Sequence, residues 1–108
     1  MTTPRRTAAT GSRDAAEQAL NVLRPLTTRQ IAHRLRQMRC HGVRGHATQC
    51  PLSKYLLNTT GLTVSVAAPF ASTDLWVLRL PYSVADFARQ FDAGAFAGLR
   101  GMLIKEEQ

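Results

Sequence analysis

Long apolar runs are missing from this chain. Hydrophobic residues make up 44% of its 108 positions, yet they come only a few at a time. A bilayer-crossing helix needs about 20 consecutive apolar residues, so no membrane partner is expected. Cysteine is nearly absent: Cys40 and Cys50 are too few for the disulfide scaffold of a small secreted domain. The opening Met1-Thr2-Thr3-Pro4-Arg5-Arg6 has charge but no apolar segment behind it, unlike a secretory leader. Together these readings point to a cytoplasmic chain. No repeat or low-complexity tract appears, and Gly42 and Gly45 are not followed by the lysine of a phosphate-binding loop.

Acid is scarce as well, with seven Asp and Glu against fourteen Lys and Arg, for a net charge of +7. The imbalance is local. Residues 1–54 hold ten basic groups and two acids, whereas residues 55–108 hold four and five. A one-sided basic surface is the footprint of a nucleic-acid or acidic-protein partner. A plainer origin stands beside it: twelve of the fourteen cations are Arg and fifteen residues are Ala, as a GC-rich genome produces regardless of function.

One domain suits this length. Residues 1–11 have no hydrophobic period and read as a disordered basic arm. The first helix is expected to open at Ser12 or Asp14 and stop before Pro25, with Ala16, Ala19, Leu20 and Leu23 inward. The second has a capping-box signature, Thr27 with Gln30, and Leu26 placed to staple Ile31. Ile31, Leu35 and Met38 form its apolar stripe, Arg29, His33 and Arg36 lie outside, and Gly42 is the expected left-handed stop. After a glycine loop from His41 to Gln49, Pro51 suits the first position of a third helix that ends near Gly61, with Leu52, Tyr55 and Leu56 inward. Two alternating strands follow, 62–68 and 74–80, as an antiparallel hairpin turning through 69–73. A last helix is expected with Ser83 and Asp86 as its capping box and Tyr82 stapling Phe87; Gly94 stops it, and Phe96 and Leu99 add an apolar turn. The expected fold is α+β, α-α-α-β-β-α, with the domain over 12–101 and a flexible tail over 102–108.

Leu26-Thr27-Thr28-Arg29-Gln30-Ile31-Ala32-His33-Arg34-Leu35 resembles the opening of the positioning helix of a winged helix-turn-helix domain. Ser53-Lys54-Tyr55-Leu56, with Gly61-Leu62-Thr63-Val64, is similar to the end of a recognition helix entering the wing. The resemblance implies a third helix in the major groove flanked by the hairpin. The run Gly42-Val43-Arg44-Gly45, then Cys50 to Leu56, Leu80-Pro81 and Phe87 to Gly94, resembles an uncharacterised group of small actinobacterial and bacteriophage proteins. That likeness implies an origin and no activity.

Cys40, His41, His46 and Cys50 have the side-chain types of a zinc site, but their spacing lacks the paired C-x2-C knuckle. Cys50 at a helix start is placed for a lowered pKa with His46 four residues before it, or else is a packing thiol. Asp74, Asp86, Asp92, Glu106 and Glu107 make no acid–base pair, so neither enzyme chemistry nor a cofactor is expected. The expected function is nucleic-acid binding, with duplex DNA the leading form. Arg29, Arg34, Arg36, Arg39, Arg44 and Lys54 would meet phosphates, Ser53 and Asn58 base edges, and Arg5 and Arg6 would add contacts from the arm. The competing class is a module that binds an acidic protein surface, with Phe70 or Leu57 as apolar anchor.

Overall fold

The computed structural model describes residues 3–100, with side chains from residue 13 onward. The tail expected over 102–108, and the side chains of Arg5 and Arg6, lie outside the described residues. The order is α1 (Thr3–Leu23), α2 (Thr28–Gln37), α3 (Pro51–Thr60), β1 (Ser65–Ala67), β2 (Phe70–Ser72), β3 (Val77–Arg79), α4 (Tyr82–Asp92) and a 3-10 turn (Ala97–Leu99). The α+β class stands. Helix α1 starts upstream of Ser12, so most of the segment expected as an arm is helical in its backbone.

Local sequence signals explain the first three helices. Thr27 and Gln30 close the capping box reciprocally, Gln30 N–H to Thr27 Oγ1 at 3.2 Å and Thr27 N–H to Gln30 Oε1 at 2.9 Å. Ile31 and Leu35 then enter the core at helical spacing. Pro51 occupies the first turn of α3 and Gly61 ends it at φ 80°. Helix α1 packs on α3 and α2 on α4. Ala16, Leu20 and Leu23 of α1 meet a core of Leu52, Leu56, Val84, Phe87 and Phe91. Each large apolar side chain so buried contributes about 1.5–3 kcal/mol. Tyr55 donates its hydroxyl to Ala19 O at 2.6 Å, tying α3 to α1 with its one polar atom satisfied.

Where tertiary contacts decide, the outcome differs from the local reading. The sheet has three strands, not two, in the antiparallel order β1-β2-β3. The segment expected as the hairpin turn contains β2, which pairs Ala67↔Phe70 on one side and Phe70↔Arg79 on the other. Its middle residue, Ala71, is fully buried and small enough for the sheet to sit close on the helices. Helix α4 begins one residue before Ser83, behind Pro81, and has no side-chain cap. Ser83 instead donates to Arg24 O at 3.2 Å, while Asp86 accepts from Gln90 Nε2 at 3.1 Å. Tyr82 is 83% exposed, so it staples nothing.

The stop of α2 also moves. Arg39, at φ 61°, takes the left-handed position, with Cys40 N–H on Leu35 O at 2.9 Å and Arg39 N–H on Arg36 O at 3.0 Å. That is a Schellman closure built on a residue with a Cβ. Helix α4 ends the same way on Gly94, at φ 106°, as expected: Gly94 N–H bonds Phe91 O and Ala95 N–H bonds Gln90 O. The two closures give opposite expectations in thermal denaturation. Arg39→Gly should stabilise the fold by roughly 0.5–1 kcal/mol, and Gly94→Ala should destabilise it by about 1–2 kcal/mol.

Candidate nucleic-acid interface

The candidate surface is assembled from α2, the loop at 43–46 and the segment 94–100, which crosses the molecule as a strap. Arg29, His33 and Arg36 recur at i, i+4 and i+7 and therefore share the outer face of α2. With Phe96, Gly98 and Leu99 they line a shallow groove between α2 and the strap. Arg36 lies against Gly98, where an added Cβ would stand 3.4 Å from its Cζ. At the other end, a Cβ on Gly94 would meet Arg44 Nη1 at 3.7 Å and Arg100 Nη2 at 3.8 Å. The two guanidiniums thus converge over this glycine, and Arg100 donates to Gly94 O at 3.2 Å.

The strap is held by Gly42. Its N–H donates to Leu99 O at 2.9 Å, and Gly42 forms a parallel bridge with Arg100. A Cβ on Gly42 would run into Gln49 O and the Cys50 backbone. This glycine is therefore required by close packing of backbones, not by the left-handed geometry expected of it. Leu99 is buried behind the strap, and Phe96 packs on Phe87 with ring centroids 5.2 Å apart.

Acids do little to neutralise this surface. Among the described residues the one ion pair is Arg13–Glu17, at 3.7 Å and remote from it in sequence. Asp92, the nearest carboxylate in sequence to the strap, accepts from the Gly45 N–H at 3.1 Å. Arg29, Arg34, Arg36, Arg39, Arg44 and Arg100 have no carboxylate within salt-bridge distance among the described residues.

The other expected contacts are placed elsewhere. Arg34 lies on the flank of α2 with Gln30 and Gln37, near enough to Tyr55 to oppose the upward push that burial gives its phenol. Lys54 is half-buried and close enough to Cys40 to act on its thiol, and Asn58 Nδ2 donates to Cys40 Sγ at 3.5 Å. Ser53 is buried, with its hydroxyl donating to Val64 O at 2.7 Å, so it faces no base edge. Its hydroxyl is committed to holding α3 against the chain entering β1. Arg39 sits at the exposed end of α2. The strap residues Phe96, Gly98 and Arg100 were not singled out from the sequence as part of a basic surface. The signal available was the Phe96–Leu99 apolar spacing, since a buried Leu99 sends the next residue outward.

The thiol and imidazole groups do not gather at one point: His46 and Cys50 line a common pocket with Asp92, and Cys40 and His41 are not part of its lining. Cys40 is buried under Asn58, while Cys50 caps α3, accepting from Ser53 N–H at 3.4 Å. His41 is half-buried and His46 exposed. Among the described residues no three His, Cys, Asp or Glu side chains are grouped to hold a metal. Of the two readings of Cys50, the structure fits the packing thiol and not the lowered pKa. Burial pushes the thiol up, against the Ser53 and Leu52 N–H groups that favour thiolate, and the Asp92 charge adds to the rise. Cys40 is likewise pushed up by burial, partly offset by Asn58 and Lys54.

Compared with family models, curated proteins and solved structures, the chain matches none.

Both thiols should therefore alkylate slowly in the native protein near pH 8 and rapidly in denaturant, because the thiolate is the nucleophile. The stability gained by keeping them protonated is complete below the ordinary thiol pKa of 9.0 and lost as pH rises beyond it. Denaturation midpoints measured from pH 7 to 10 should fall at the alkaline end, and less so in a Cys50→Ser chain.

Proposed function

We propose that this chain is a non-enzymatic nucleic-acid-binding module. The observation that carries the reading is the band of arginines running from Arg29 and Arg36, across the strap, to Arg100 and Arg44, with no carboxylate in salt-bridge contact among the described residues. Bringing like charges together costs energy in the unbound protein, and a polyanion removes that cost as it releases its own counterions. The expected winged-helix-like arrangement enters here in altered form. Phosphate contacts fall on α2 and the strap, while α3 turns Ser53 inward and places Lys54 and Asn58 beside Cys40. With Ser53 buried, α3 has few groups left to read bases, so binding of low sequence preference follows.

A second reading has its own observation. Leu75, Val77 and Phe70 are 81%, 59% and 43% exposed at and beside the sheet, and the Arg79 guanidinium stands 5.7 Å from the Phe70 ring centre. An apolar patch beside a cation suits an acidic protein partner. A protein retained from nuclease-treated lysate, and lost with Phe70→Ala, would favour this class.

Binding of a labelled duplex measured by fluorescence anisotropy tests the first reading. Affinity should fall steeply between about 50 and 200 mM salt, by roughly a thousandfold for six phosphate contacts. Arg36→Ala and Arg100→Ala should each weaken binding and flatten the salt slope by about one phosphate contact. Arg79→Ala, on the sheet, should leave the slope unchanged. No binding to duplex or single strands at the lowest salt would overturn the proposal.

A further inference from the structure

The groove between α2 and the strap contains more than charge. Phe96 and Leu99 belong to its lining together with Arg29, His33 and Arg36, and the Arg36 guanidinium lies over Gly98. Phe96 is half-buried and sits at φ 59°, ψ 51°, the left-handed region that residues with a Cβ seldom adopt. Its ring is braced by Phe87, tilted 30° at 5.2 Å, and the residue is one of those that line the groove. A groove made for phosphate alone needs no aromatic lining, and a groove made for an apolar peptide needs no arginines.

Arginine, imidazole and phenyl together match the parts of one nucleotide. The guanidiniums suit its phosphates, the phenyl and imidazole surfaces suit a base, and Gly98 lets Arg36 lie flat against the strap. A base in an intact duplex is stacked on both faces and cannot enter such a groove; an unpaired base can. We infer that the groove takes a nucleotide of single-stranded nucleic acid, its base against Phe96 and His33 and its phosphates on Arg29 and Arg36. The strand then continues along the strap to Arg100 and Arg44. This inference rests on the nucleic-acid reading and narrows it to unpaired strands.

Anisotropy with three labelled probes of about a dozen nucleotides tests it: single-stranded oligothymidylate, the same strand with abasic sites, and a duplex. The single strand should bind roughly fivefold or more tightly than either of the others, as base–aromatic stacking provides. Phe96→Leu keeps an apolar contact to Phe87 and should reduce the single strand to the abasic level without changing duplex affinity. His33→Ala removes an exposed side chain; it should weaken single-strand binding alone, and it decides the matter if Phe96→Leu fails to fold. Equal binding of the single and abasic strands, or an equal loss on all three probes in the variants, overturns the inference and leaves the wider nucleic-acid reading standing. Failure of every probe to bind at low salt overturns both. Competition by free thymidine monophosphate at concentrations near the oligonucleotide's own would overturn the strand assignment in favour of a free nucleotide.

Discussion

The contact between Gly42 and the strap governs the exposed half of this molecule. The backbone at residue 42 passes so close to Gln49 and Cys50 that no side chain fits, and at that distance its N–H reaches Leu99 O. From this one bond the rest of the face follows. Leu99 is seated in the core, Phe96 meets Phe87, Arg36 finds Gly98, and Arg100 arrives beside Arg44. None of these pairings is local in sequence, and each depends on where the strap lies.

The electrostatics have a related logic. In many folds a surface arginine is balanced by a neighbouring carboxylate, usually for little gain in stability. Here two of the acids are engaged by neutral donors: Asp92 by a backbone N–H and Asp86 by a glutamine amide. Those bonds secure the loop at Gly45 and a turn of α4, while the charge on the arginines faces solvent. The band arginines form no ion pair with these carboxylates, and no buried side-chain polar atom lacks a partner among the described residues.

What the sequence could disclose divides along the reach of each interaction. The Thr27–Gln30 box, Pro51 at the head of α3, Gly61 and Gly94 at helix ends, and the stripes of α1 to α4 are set by residues three or four apart, and all were legible. Strand Phe70–Ser72 was not, because its short Phe-Ala-Ser run has little strand propensity and is held by partners on both sides. Ser83 has the residue type and spacing of a cap yet spends its hydroxyl on Arg24, a bond that exists only after α1 and α4 are together. The candidate site was half legible. The arginines of α2 could be placed on one face by periodicity, whereas Arg100 lay in a near-neutral half of the chain and reached the band through the strap. Ser53 shows the converse: a polar residue on a helix, read as outward, is drawn inward by the carbonyl of Val64.

The bridge from Gly42 to Arg100 also imposes an order in time. It closes a loop of more than half the chain, and loop closure of that length is deferred until the intervening helices and sheet have shortened the distance between its ends. During synthesis α2 emerges well before α4 and residues 96–100, on which it packs, exist. The groove beside Arg29 and Arg36 therefore comes into being only when residues 96–100 have been made and docked.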